Sequence, residues 1–302
     1  AEGWEKVGDC WAVRPPEGVE PIGLVHFIGG AFVGASPEIT YRLFLEQLAH
    51  RGLWVVTTAF SSGFDYVQMA DEAQFKFERA RSLLGPAAEA LPVYGVGHSL
   101  GCALHLIIGS RYPVSRAGNV LMSFNNKPAT DAIPLFSPLI SPAAATLGPI
   151  LEQLAQSPLS ETLDQISQQV RDFSPPQVRQ LLPLVEQLQP LYRDIAAGRR
   201  EFTPSPAEVK RLVRSYYSTS KNLIVRFRED SIDESPFLTT LLQQESAISP
   251  ALDLTLRTLP GDHTRPLQQG APDVPPELLG AVAQGSELLD AFASMAGPMG
   301  AQ

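Results

Sequence analysis

At 302 residues and 44% hydrophobic, the chain can bury a large core and form one or two domains. A net charge of −9 with no basic block argues against nucleic acid as a partner and offers no polybasic membrane anchor. The longest apolar runs are about strand length and soon end in charge, Gly or Pro, so no membrane-spanning segment is expected, while peripheral membrane contact stays open.

In chain order, WEKV and CWAV, joined through GD, read as an antiparallel hairpin at a sheet edge. Six β-rich runs follow: IGLVHFI (22–28), LWVVTTA (53–59), PVYGV (92–96), NVLMSF (119–124), NLIVRF (222–227) and DLTLRTL (253–259). Several are almost continuously apolar, as strands covered on both faces must be. Between them lie helical patterns such as 41–52 and 64–85, each ending in glycine. Alternation of this kind predicts an α/β fold: a mostly parallel sheet of about eight strands, flanked by helices. The opening AEGWEKVGDCW lacks the basic-then-apolar layout of a secretion signal, and a segment removed upstream stays open.

The alternation breaks between Asp131 and Ser218, where apolar residues recur at helical spacing among many prolines. Plausible helix starts are Ser160, Ser174 with Pro175, and Ser205 with Pro206. Residues 132–217 are therefore read as a helical lid inserted between two late strands, with 1–131 and 218–302 forming the core. The insertion carries Leu147, Ile150, Leu151 and Leu154, then Leu181, Leu184, Val185 and Leu188, on helical faces. Helices over a site make an apolar tunnel or a moving cover. One more helix is expected after Gly270.

Only two cysteines occur, Cys10 and Cys102, far apart and with no disulfide framework. Cys102 reads as a small buried hydrophobe. With no CxxC, HExxH or His/Cys cluster, no metal or other cofactor is expected, and a reducing compartment is the default.

The segment Gly97-His98-Ser99-Leu100-Gly101 follows a strand directly and enters a helical pattern, CALHLIIGSRY. G-x-S-x-G in that setting is a nucleophile elbow: a sharp, strained turn that lifts the serine hydroxyl above the sheet near the positive end of the next helix. A serine needs a base, and the base needs an acid to orient it. His26, His50 and His105 sit in a strand, near a helix end and on the elbow helix, and read as structural. His98 also reads as structural, although its place in the elbow makes it a candidate substrate contact. Only His263 lies in a loop after the last strand, late enough to be the base. The acid is expected after the preceding strand, in REDSIDES. Asp230 begins that turn and is favoured, with Asp233 as competitor. Asp262, beside the base, reads as a loop-shaping residue.

Backbone N–H groups near the serine are needed for an oxyanion hole. Leu100, just after the nucleophile, is one donor; Gly30 and Ala31, in the loop HFIGGAFVGAS, are the others. Phe32 beside them is a further donor candidate and an expected substrate contact. Asn125 and Asn126 leave a strand at its carboxyl end, where ligands bind in open α/β sheets, and are either pocket residues or Asx-turn residues. Phe60, Phe64 and Tyr66 are either pocket lining or core.

With HFIGGAFVGASPEITYRLFLEQLA, YGVGHSLGCALH, SFNNKPATDAIP, REDSIDES and LPGDHTRPL in place, the chain resembles the α/β-hydrolase superfamily over most of its length. More narrowly, it is similar to the uncharacterised DUF1350 family of cyanobacteria and plastids. The resemblance implies an α/β-hydrolase fold with Ser99, Asp230 and His263 as triad. It makes a cyanobacterial cytoplasm or a plastid stroma the expected location. The expected activity is hydrolysis of an ester with a hydrophobic acyl or alcohol part, the substrate being a hydrophobic ester or lipid. Thioester or amide cleavage by the same triad, and a binding or scaffold role on the same fold, stay open. The residues fix no oligomeric state.

Overall fold

The computed structural model describes residues 3–31, 33–132, 194 and 197–268. Eight strands form one sheet: β1 (Trp4–Val7), β2 (Cys10–Val13), β3 (Gly23–Ile28), β4 (Leu53–Thr57), β5 (Val93–His98), β6 (Gly118–Met122), β7 (Lys221–Phe227) and β8 (Asp253–Leu259). Their spatial order is β1-β2-β4-β3-β5-β6-β7-β8. The first two pairings, β1 with β2 and β2 with β4, are antiparallel, and the remaining five are parallel.

Helices occupy the crossovers. α1 (Pro37–Thr40) and α2 (Arg42–Ala49) link β3 to β4, α3 (Tyr66–Leu84) and α4 (Pro86–Glu89) link β4 to β5, and α5 (Leu100–Arg111) links β5 to β6. α6 (Ala129–Ala132) follows β6, α7 (Pro206–Tyr216) precedes β7, and α8 (Ser235–Thr240) lies between β7 and β8.

All six residues of β3 are buried, as its unbroken apolar run requires of a strand covered on both faces. Val25 and Phe27 face Tyr41, Leu45 and Ala49 of the α2 side. Ile28 faces the opposite layer with Leu104, Ile107 and Ile108 of α5, and Leu24 meets Phe77 and Ala80 of α3. From Leu100 to Gly109 every residue of α5 is buried, which marks it as the central helix rather than an amphipathic surface one.

α7 corrects one boundary. Its apolar spacing matches the segments before it and so groups it with the insertion. Instead it packs on α5, and Val209, Val213 and the following Tyr217 join the main core. Phe202 is buried in that core too, and Thr203 bridges to Asp65, so the core resumes before residue 206. At the start of α7, the Glu208 carboxylate accepts from both the N–H and the hydroxyl of Ser205, each at 2.8 Å. The rest of the expected lid, 133–193 and 195–196, and the helix expected after Gly270 lie outside the described residues. No described helix is long and apolar enough to cross a membrane.

Three histidines are taken out of water: His26 is 0% exposed, His98 and His105 1% each. Burial pushes His98 and His105 down to about 3, and His26 well below its ordinary value. Unfolded, each takes up its proton near pH 6.5. Below that value the unfolded chain therefore holds protons that the native fold refuses. Stability is full above about pH 6.5 and falls with pH, by about 1.4 kcal/mol per unit for each histidine. Half-buried Glu38, raised by burial to about 7, opposes one of the three between 4.5 and 7. Urea unfolding at pH 5 is thus expected to give about 4 kcal/mol less stability than at pH 6.5. Equal stability at the two pH values would contradict neutral burial of the three rings.

Candidate active site

The elbow is a consequence of close packing between β5 and α5. Ser99 has φ 54° and ψ −119°, a left-handed conformation that an L-residue adopts only when its surroundings enforce it. Glycine on either side allows the enforcement. A Cβ on Gly97 would lie 2.7 Å from the Gly101 backbone, and one on Gly101 would lie 2.1 Å from the Ile28 carbonyl oxygen. The Ser99 N–H donates to the Met122 carbonyl at 2.9 Å, which locks the turn to the end of β6.

Ser99 Oγ lies 3.0 Å from His263 Nε2, and His263 Nδ1 lies 2.8 Å from Asp230 Oδ2. The loops that bring them together are joined through their backbones. Arg228 N–H donates to the Leu259 carbonyl, and Glu229 N–H to the Gly261 carbonyl. In return, Gly261 N–H donates to Glu229 Oε2 at 2.6 Å. Asp262 shapes the loop that carries His263, its Oδ1 accepting from Thr264 N–H and hydroxyl at 2.9 and 2.7 Å.

Of the two acids, Asp230 is the one in contact with His263. Its second oxygen accepts from Ile232 N–H at 3.1 Å, and its side chain is fully buried. Burial alone would raise its carboxyl, but the hydrogen bond and charge of His263, with Ile232 N–H and the Ser123 hydroxyl, outweigh that and hold it below its ordinary value. Asp233 accepts instead from the Ser235 hydroxyl at 2.5 Å, with the Arg226 guanidinium 3.8 Å away. Burial raises the Asp233 carboxyl above its ordinary value, although Ser235 pulls the other way.

The remaining expected site residues divide. Leu100 opens α5, so its N–H is among the first-turn donors that lack an acceptor within the helix. Gly30 differs from expectation: its N–H donates to the Tyr41 hydroxyl at 2.8 Å and is committed there. Ala31, next in the loop, is half-buried. Phe32 lies outside the described residues.

His98 is not a pocket residue. It is 1% exposed, with Nδ1 2.7 Å from Tyr41 Oη and Nε2 2.9 Å from the His263 carbonyl oxygen. Asn125 is taken up in the loop, donating to the Ile232 carbonyl and accepting from Lys127 N–H, each at 3.2 Å. Asn126 donates through its side chain to the Pro206 carbonyl at 3.1 Å and through its N–H to Glu234 Oε2 at 2.6 Å. Asn125 thus closes an Asx-type turn, whereas Asn126 ties its loop to the start of α7 and to Glu234. Phe60, Phe64 and Tyr66 lie in the main core.

Two residues at the site carry no sequence signal as site residues. Tyr41, fully buried just before α2, reaches both Gly30 and His98. Ser123, at the end of β6, is 0% exposed with φ 53°, a second left-handed residue beside the elbow. Among the described residues no cluster of His, Cys, Asp and Glu is able to hold a metal ion.

A sheet in this strand order, with a strained serine after β5 and an acid and a histidine after β7 and β8, is the α/β-hydrolase fold. Among solved structures, the chain is similar to a hydrolase from Pseudomonas aeruginosa PA01 at 15% identity and TM-score 0.44, covering 97% of each chain. It is similar to a putative lipase from Acinetobacter baumannii AYE at 16% identity and TM-score 0.48, covering 96% of this chain and 91% of that one. It is also similar to a thioesterase domain from the curacin biosynthetic pathway, at 13% identity and TM-score 0.46, covering 94% and 97%. No curated protein matches the chain. The sequence matches over residues 3–274 the family described as Protein of unknown function (DUF1350), and the chain belongs to that family.

Proposed function

We propose that the chain is a serine hydrolase that cleaves carboxylic esters with a hydrophobic acyl or alcohol part through an acyl-enzyme. The observation that carries the reading is the continuous hydrogen-bonded line from Ser99 Oγ through His263 to Asp230, at 3.0 and 2.8 Å, with Ser99 held in a strained backbone. Ser99 Oγ attacks the ester carbonyl carbon while His263 Nε2 takes its proton. The imidazolium keeps its Nδ1–H on ionised Asp230, which stabilises the charge without accepting the proton. N–H groups of Leu100 and Ala31 hold the developing oxyanion. His263 returns the proton to the leaving alcohol, and the same base then activates a water that frees the acid.

The preference for a hydrophobic substrate rests on the sequence of the insertion, where leucine, isoleucine and valine recur between Leu147 and Leu188. A series of p-nitrophenyl esters from acetate to palmitate, with thioester and anilide counterparts, tests it. The expected result is ester turnover that rises with acyl length and is lost in Ser99→Ala. Turnover of the thioester or anilide alone would move the reading to a thioesterase or amidase, and turnover retained in Ser99→Ala would end it.

The acid assignment has its own test. Asp230→Asn is expected to lower kcat by about 10⁴-fold, because the base loses the partner that sets its tautomer. Asp233→Asn is expected to stay within about three-fold, since that carboxylate orients Ser235 and not His263. The reverse ranking would transfer the role to Asp233.

A further inference from the structure

His98 faces no pocket, yet both of its ring nitrogens are engaged, and with groups on different elements. Nδ1 meets Tyr41 Oη at 2.7 Å, and Nε2 meets the His263 carbonyl oxygen at 2.9 Å. Tyr41 Oη also receives the Gly30 N–H at 2.8 Å. The two ends fix every proton between them. A backbone N–H only donates, and a carbonyl only accepts. His98 Nε2 therefore carries the proton given to His263, and because burial keeps the ring neutral, Nδ1 is bare. Tyr41 accepts from Gly30 and donates its own proton to that bare nitrogen. The line runs unbroken from the loop after β3, through the elbow, to the loop after β8.

We propose that His98, backed by Tyr41, is a positioning residue that ties the backbone of His263 to the Gly30 loop and so holds base, nucleophile and oxyanion side in one register. The inference rests on the serine hydrolase reading. His263 needs such a tie because its loop leaves β8, the edge strand of the sheet, whose last residue Leu259 is 44% exposed. The Glu229–Gly261 bonds hold that loop from the β7 side, and further along it Leu267 is buried with Tyr41 and Leu45. His98, the last residue of β5, supplies the polar anchor at the His263 backbone itself. Displacing a reacting group by about 1 Å costs about 100-fold in rate. A neutral ring suits this anchoring role, and burial, followed by the adjacent His263, lowers His98 to about 3. The anchor therefore keeps one donor and one acceptor when His263 becomes charged during turnover.

Three variants separate positioning from space filling. His98→Phe fills the space without the bonds, and it is expected to lower kcat about 100-fold while KM stays within about three-fold. His98→Gln keeps one donor and one acceptor and is expected to recover about ten-fold of that loss. Tyr41→Phe lowers kcat as well, and combining it with His98→Phe is expected to add nothing, because both break the same line. Thermal unfolding reports whether each variant is folded. Wild-type kcat in a folded His98→Phe, or a glutamine variant no better than phenylalanine, overturns the proposal.

A second measurement needs no activity. Long-range ¹H–¹⁵N spectra of the histidine rings, with His98 assigned by its loss in His98→Gln, are expected to show a bare Nδ1 and a protonated Nε2 from pH 8 to pH 5. An Nδ1–H tautomer, or a ring that charges near pH 6.5, overturns the proposal whatever the enzyme does. A wild type inert toward every ester sinks the hydrolase reading instead, and the ring spectrum still decides the tether.

Discussion

Ser99→Ala, His263→Ala and the double variant are expected to fall to one common floor, about 10⁶-fold below the wild-type kcat. The hydroxyl and the imidazole act as one unit: Ser99 Oγ is useful only while Nε2, 3.0 Å away, accepts its proton. Once either is gone, the other has nothing left to contribute. What survives at the floor is binding and oxyanion stabilisation, which leave about 10³–10⁴-fold over the uncatalysed reaction. Steady-state rates on the fastest ester of the acyl series measure this. A double variant much slower than either single one would show the two residues working independently, which the hydrogen-bonded line does not allow.

Gly101→Ala is expected to be the most damaging small substitution in the core. Its new methyl would stand 2.1 Å from the Ile28 carbonyl oxygen and 2.7 Å from that of Gly29. Both obstacles are backbone, at the end of β3, so no side chain can rotate aside. Either α5 withdraws from β3 or the loop carrying Gly30 and Ala31 shifts, and both movements spoil the elbow. Overpacking of this kind costs about 3 kcal/mol or more. In a chain of this size that lowers Tm by about 5 °C. Calorimetry of Gly101→Ala beside Gly18→Ala controls for the methyl itself. Gly18 has nothing within 4 Å of its Cβ position, although its φ of 83° adds some backbone strain. A Gly101→Ala protein as stable as that control would contradict the close approach of α5 to β3.

The sheet is readable in the sequence because its central strands are covered on both faces. A run such as GLVHFI can be apolar throughout only if both sides are buried, and all six residues are. The elbow is readable because small residues, one serine and a strand-to-helix switch coincide within a few positions. The acid is harder. Asp230 and Asp233 share a loop, and both carboxylates are buried. What separates them is the backbone pairing of Arg228 and Glu229 with Leu259 and Gly261, a tertiary register with no local signature.

The misreadings share one cause, a partner distant in sequence. Gly30 sits in a plausible oxyanion loop, but a tyrosine hydroxyl 11 residues on takes its N–H. His98 reads as structural, but nothing local shows that its ring reaches a carbonyl 165 residues away. α7 has the same apolar spacing as the insertion before it, and only its packing on α5 assigns it to the core. Residue type and spacing convey which chemistry is available. Which donor is already committed depends on contacts that only the folded chain makes.

The central claim is an activated serine at residue 99, and the direct measurement is the intact mass of the full chain after exposure to a fluorophosphonate. The expected result is one phosphonyl adduct per chain, mapped to Ser99 by peptide fragmentation and absent from Ser99→Ala and His263→Ala. A folded wild type that stays unlabelled with and without detergent, or an adduct on another residue, would contradict it.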